Sequence, residues 1–131
     1  VTAVLLDTNA LLWLAKSPEL VAASAREVLE NPANELFISA ASAWEIAIKT
    51  RLGRLDGAAI LSSWTDTLEA MTAQELVMDS ADATLAGQLN WDHRDPFDRM
   101  IVAQATRRGL AIATSDRAIH AGAMTPVIVT K

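Results

Sequence analysis

Ala3-Val4-Leu5-Leu6-Asp7-Thr8-Asn9-Ala10-Leu11-Leu12-Trp13 is the stretch that decides the fold. Val4 to Leu6 is short, apolar and closed by an acid, the pattern of a parallel strand buried on both faces. A short helix starting near Thr8 covers the sheet with Leu11, Leu12 and Leu14, and Trp13 adds a broad apolar plate. Strand followed by helix then recurs along the chain.

Ser17-Pro18-Glu19 predicts a second helix, with Ser17 as N-cap and Pro18 at the first helical position, running on to Asn31-Pro32. Glu35 to Ile38 reads as a strand, and Ser39 or Ser42 caps a helix carrying Trp44, Ile46, Ile48 and Leu52 up to Gly53. Gly57 opens a helical stretch through Leu61, Trp64 and Leu68. Leu76 to Met78 reads as a weak strand, and Ser80 caps a helix to Leu89. After a polar loop, Asp95-Pro96 starts a helix that ends at Arg107-Arg108-Gly109. Leu110 to Ala113 is the next strand, Ser115-Asp116 caps a turn of helix, and Val127 to Val129 is the last strand. The alternation predicts one α/β domain over residues 1–131, a mostly parallel central sheet with helices on both faces.

A chain of 131 residues with 51% apolar side chains has enough material for a core. It has no cysteine, which excludes disulfides, thiolate metal sites and Cys nucleophiles, and its 2 histidines make an imidazole-rich zinc site a poor fit. No run reaches the roughly 18–20 apolar residues of a membrane span, and no basic stretch leads into a signal-like core, so the expectation is a cytoplasmic protein without a membrane partner. The net charge of −5 is unevenly spread: residues 94–117 carry Arg94, Arg99, Arg107, Arg108 and Arg117 against Asp95, Asp98 and Asp116. Lys49, Arg51 and Arg54 form a second basic run.

Four acids stand at the edges of these elements. Asp7 and Asp116 follow strands, at the edge where open α/β sheets bind ligands, yet each also serves as a helix cap or dipole partner. Asp95 is well explained as a cap ahead of Pro96; Asp98, on an apolar helix, calls for a partner or an ion. Glu45 reads by spacing alone as an ordinary surface pair with Lys49. Gathered in one cleft, the four would repel unless a cation held them. Oxygen ligands of this kind suit magnesium or manganese, and such an ion supports phosphodiester chemistry without His, Cys or a nucleophilic Ser.

Four blocks carry a resemblance: Leu5 to Trp13, Ser39 to Lys49 around Trp44-Glu45-Ile46, His93 to Ala105, and Ala113-Thr114-Ser115-Asp116. Together they resemble the PIN-domain endoribonucleases, specifically the VapC-type toxins of bacterial toxin–antitoxin pairs. The resemblance implies metal-dependent cleavage of RNA in an acidic cleft, with Asp7, Glu45, Asp98 and Asp116 catalytic. Asp7 and Asp98 would ligate a magnesium or manganese ion directly, while Glu45 and Asp116 complete the cluster. Thr8, Asn9, Thr114 and Ser115 would be supporting polar groups, and Arg99 would meet substrate phosphate or a neighbouring acid. It implies also a homodimer and an antitoxin laid across apolar helices near the site. Trp13, Trp44, Trp64 and Trp91 are many large rings for a small domain; Trp13 and Trp44 are expected in the core, and any exposed ring would mark a partner surface.

Two other classes compete. A phosphohydrolase of another class would use Asp7 as nucleophile, but usually needs a second acid where this chain has Asn9. A non-catalytic binding module on the same fold would have no reason to keep all four acids.

Overall fold

In the computed structural model, which describes residues 1–131, five strands form one sheet in the order β3-β2-β1-β4-β5, and every adjacent pair is parallel. They are β1 (Ala3–Leu6), β2 (Glu35–Ser39), β3 (Ala73–Leu76), β4 (Ala111–Thr114) and β5 (Val127–Val129). The expectation of a mostly parallel sheet is met by a wholly parallel one. The central strands β1 and β4 are nearly all buried, because helices cover both of their faces.

The helices are α1 (Thr8–Lys16), α2 (Ala23–Leu29), α3 (Ala40–Arg51), α4 (Ala58–Ser62), α5 (Trp64–Ala70), α6 (Ser80–Gln88), α7 (Pro96–Arg108) and α8 (Arg117–Gly122). Alternation along β1 divides the core. Val4 and Leu6 join Leu11, Leu36, Ile38, Ile46 and Ile60 on one face. Leu5 points the other way, to Ile101, Val102, Ala105, Ile112 and Ile119.

Four boundaries differ from expectation. The helix read from Ser17 is a one-turn 3-10 helix, Pro18–Leu20, followed by α2 as a separate element; Ser17 makes no side-chain cap bond, and Ala22 spends its N–H on the Thr130 carbonyl. The stretch after Gly57 is two helices, since the Ser62 and Ser63 hydroxyls both donate to the Ala59 carbonyl and compete with the helical ladder. The weak strand lies at Ala73–Leu76, with Ser39 paired to Leu76, and not at Leu76–Met78; it is an edge strand with little apolar signal, and Val77 and Met78 beyond it are exposed. Finally, α6 is capped by Asp79 in a capping box with Asp82, one residue before the expected Ser80.

The order in which strands are added reverses between β1 and β4. From β1 the sheet grows outward through β2 and β3, then returns to the centre for β4 and β5. The carboxyl ends of β1 and β4 therefore border the crevice where this fold class places ligands.

Candidate active site

Asp7 follows Leu6 directly, and its N–H still donates to the Ala113 carbonyl, so the residue is locked to β4 as it leaves the sheet. Its side chain is buried and bonded twice: Oδ1 accepts the Ala10 N–H at 2.7 Å and Oδ2 accepts the Thr114 hydroxyl. The helix-cap reading of Asp7 holds, and the capping carboxylate also lines the pocket at this sheet edge. Asp116 repeats the arrangement, capping α8 through Ala118 N–H while its own N–H donates to Thr114 Oγ1. Thr114 couples the two acids from the end of β4.

Glu45 comes from α3, which Ser39 caps through Ala41 N–H. It pairs with Lys49 at 2.6 Å, as its spacing predicts, but the Glu45 carboxylate is buried while Lys49 reaches it from the surface. Its other oxygen accepts the hydroxyl of Thr8, whose oxygen in turn lies within hydrogen-bond distance, 3.0 Å, of the Ser42 hydroxyl. Asp98 sits in the first turn of α7, where Asp95 caps Phe97 and Asp98 through their N–H groups and Gly109 closes the helix in the left-handed conformation. Its Oδ2 accepts a hydrogen bond from His93 Nε2 at 2.7 Å.

Asp7, Glu45, Asp98 and Asp116 line one pocket together with Thr8, Asn9, Lys49, Asp95 and Ile119. Burial raises the Asp7 carboxyl to about 6, against the lowering effect of its bonds from Thr114 and Ala10, with the charges of Asp98 and Asp116 adding to the rise. Burial likewise raises Asp98 to about 6; the His93 bond opposes this, and Asp95, Asp116 and Glu45 reinforce it. The hydrogen bond to Asp98 raises His93, and the one to Glu45 raises Lys49. No three acids or imidazoles are drawn together into a closed ligand cage. The arrangement is an open acidic cleft in which negative charge is held under repulsion.

Asn9 lines the pocket; buried Thr114 lies behind it, bonded to Asp7 and Asp116, and neither Thr114 nor half-buried Ser115 is among the lining residues. Arg99 requires correction. A guanidinium has five N–H donors, and here they go to the carbonyls of Ala86, Gly87, Leu89, Trp91 and His93 at 2.6–3.5 Å. Neither a phosphate nor an acid is its partner. Trp44 is also corrected: 53% exposed, it stands edge-on to Phe97 beside a hollow shared with Met78, Pro96 and Met100. Trp13 is half-buried against the main core, with the Lys131 ammonium over its ring.

A family model described as PIN domain matches residues 4–123. The chain belongs to the PIN domain family. Among curated proteins, Ribonuclease VapC22 of Mycobacterium tuberculosis is 29% identical over 119 residues, 91% of each chain. Among solved structures, VapBC2 from Rickettsia felis bound to a promoter DNA fragment superimposes with a TM-score of 0.69 at 12% identity, over 99% of this chain and 100% of that one. DNA-bound VapBC from Salmonella typhimurium gives 0.67 at 22% identity, over 98% of both. At those identities the structures establish a common fold, which is the PIN fold.

Two features of this PIN domain escaped sequence reasoning. His93 lies five positions before Asp98, across a Pro96 turn, and no helical or strand period links them. Asp82, fully buried, accepts from Arg107, Arg108 and Gln104 and ties α6 to α7. Burial opposes its ionisation, but those bonds prevail and hold its carboxyl well below the usual carboxylate range. The signal available was the capping-box spacing Asp79 to Asp82, which gives no hint of the arginines.

Proposed function

We propose that this PIN domain is a divalent-cation-dependent endoribonuclease and the toxin of a toxin–antitoxin pair. The observation that carries the reading is the meeting of Asp7, Glu45, Asp98 and Asp116, from four separate elements, in one pocket at the β1/β4 crevice. The curated relative is named Ribonuclease VapC22 and two of the structural neighbours are DNA-bound VapBC assemblies, which agrees with it.

An all-oxygen donor set, with two carboxyls raised to about 6 by burial and further by neighbouring acids, fits a hard divalent ion; magnesium or manganese is the finer assignment. When bound, such an ion supplies positive charge against a phosphodiester and activates water. Asp98 has one oxygen without a protein partner to offer it, while Asp7 contributes a carboxylate fixed by Thr114 and Ala10. Asp116 keeps one oxygen free beyond its cap bond and is the acid placed to take a proton from an attacking water. Lys49 pairs with Glu45 and offsets its charge at the cleft wall. Asp7 does not suit a phosphoryl-accepting nucleophile, because both of its oxygens are already hydrogen-bonded.

The exposed Trp44 and its apolar hollow, beside the Asp98 end of α7, suit an inhibitory antitoxin segment, and a homodimer is part of the same proposal. The test is cleavage of a mixed RNA pool during magnesium and manganese titration. Cutting is expected to stop on chelation and to fall at least ~100-fold in Asp98→Asn with the fold intact. Native protein that leaves RNA whole at every metal concentration would end the proposal.

A further inference from the structure

Asp98 is held by a loop that is itself held more firmly than a surface connection requires. All the donors of Arg99 are engaged by carbonyls between Ala86 and His93, so one side chain of α7 fixes the backbone that leads into its own N-terminus. Trp91 in this loop lies so close over Gly122 of α8 that a Cβ there would come within 2.3–2.6 Å of the indole ring. The Trp91 and His93 rings are 4.8 Å apart, tilted by 36°. Two independent anchors, one on α7 and one on α8, therefore converge on the placement of the His93 ring. That ring makes one side-chain hydrogen bond, to Asp98 Oδ2.

We infer that His93 is a positioning residue for Asp98, holding Oδ2 so that Oδ1 stays free for a cation, with Arg99 and the Trp91–Gly122 contact as its rigid mounting. The inference rests on the reading that this cleft binds a divalent cation. Its physical basis is the one by which partners of ligating carboxylates tune metal sites: a bond to one oxygen fixes the plane in which the other is presented. Without it Asp98 rotates freely about its terminal torsion, and repulsion from Asp95, Asp116 and Glu45 turns it away from the pocket.

The experiment uses Mn2+ alone as probe, with binding followed by electron paramagnetic resonance at one fixed pH and no RNA present. His93→Leu, of similar bulk but without a donor, is expected to bind Mn2+ about 10–100-fold more weakly than the native chain. His93→Gln, whose amide N–H reaches the same oxygen, is expected to restore most of the affinity. Arg99→Lys keeps His93 but breaks the mounting, and is expected to weaken binding in the same direction. Equal affinities in the Leu and Gln variants, or a Leu variant within twofold of native, would overturn the inference while leaving the cation reading intact. A native chain that binds no Mn2+ would overturn both.

Discussion

Asp7 and Asp98 store the chemistry of this site as unfavourable charge. Both carboxyls are raised to about 6 from an ordinary 3.8, so the folded chain binds protons more tightly than the unfolded chain between those values. Stability contributed by these groups is therefore lost as pH rises through that window, and raised His93 acts in the same direction. Asp82 runs oppositely, but only as pH falls into and below the ordinary carboxylate range of about 4. Cation-free protein is thus expected to melt at a higher temperature at pH 5 than at pH 7, and calorimetry in chelator checks it; an apo melting temperature that climbs from pH 5 to 7 would contradict the assignment. By the same logic Asp98→Asn should stabilise the chelated protein at neutral pH by about 1–2 kcal/mol while removing cleavage. Divalent cation should raise the melting temperature of the native chain, by about 2.7 kcal/mol of stability at a hundredfold excess over its dissociation constant, and leave that variant nearly unmoved.

At the scale of elements, α6 and α7 are joined by a charge network and not by apolar packing alone. Asp82 is fully buried and supplies the acceptor for Arg107, Arg108 and Gln104 as well as the return bond of its own helix cap. Asp82→Ala removes all of these at once and leaves Gln104, already short of a partner at Oε1, without its acid. A loss of about 2–4 kcal/mol is expected, less than for a wholly buried pair because the arginines remain in reach of water. Urea denaturation measures it, and a change below about 0.5 kcal/mol, the level of an ordinary surface substitution, would refute the network. Elements with strong local signals were legible in the sequence: β1, β2, β4 and β5 lie within a residue or so of where apolar runs place them, and α7 runs from its Asp95-Pro96 start to Gly109. β3 was misplaced because an edge strand with half its side chains in water carries little apolar pattern. Asp7, Asp98 and Asp116 were legible because each follows a strand or opens a helix, whereas Glu45, in the middle of α3 and paired by spacing with Lys49, came in only through the resemblance. His93, Arg99 and Asp82 were not, since what defines them is contact across turns and between helices, which spacing does not encode.

For the whole molecule, the puzzle is how a chain of net charge −5 would hold an RNA. The arginine-rich stretch from 94 to 117 looked like the answer, but most of it is already committed. Arg99 is consumed by backbone carbonyls, and Arg107 and Arg108 by Asp82. Lys49 is paired with Glu45. Arg94, beside the His93 loop, and Arg117, next to Asp116, are exposed and make no ion pair. Counterion release then sets a quantitative expectation. If about two cations contact phosphate, the logarithm of the affinity for single-stranded RNA should fall with the logarithm of salt at a slope near 1.4, each contact contributing about 0.7. Fluorescence anisotropy on Asp98→Asn protein, which is expected to hold RNA without cutting it, gives that slope. Adding Arg94→Ala or Arg117→Ala should lower it by about 0.7 each, whereas Arg107→Ala should leave it unchanged and act on stability instead. A slope indifferent to Arg94 and Arg117 would move the RNA path to Arg51 and Arg54, which are also exposed and make no ion pair, and a slope near 4 would require a second protomer to add cations.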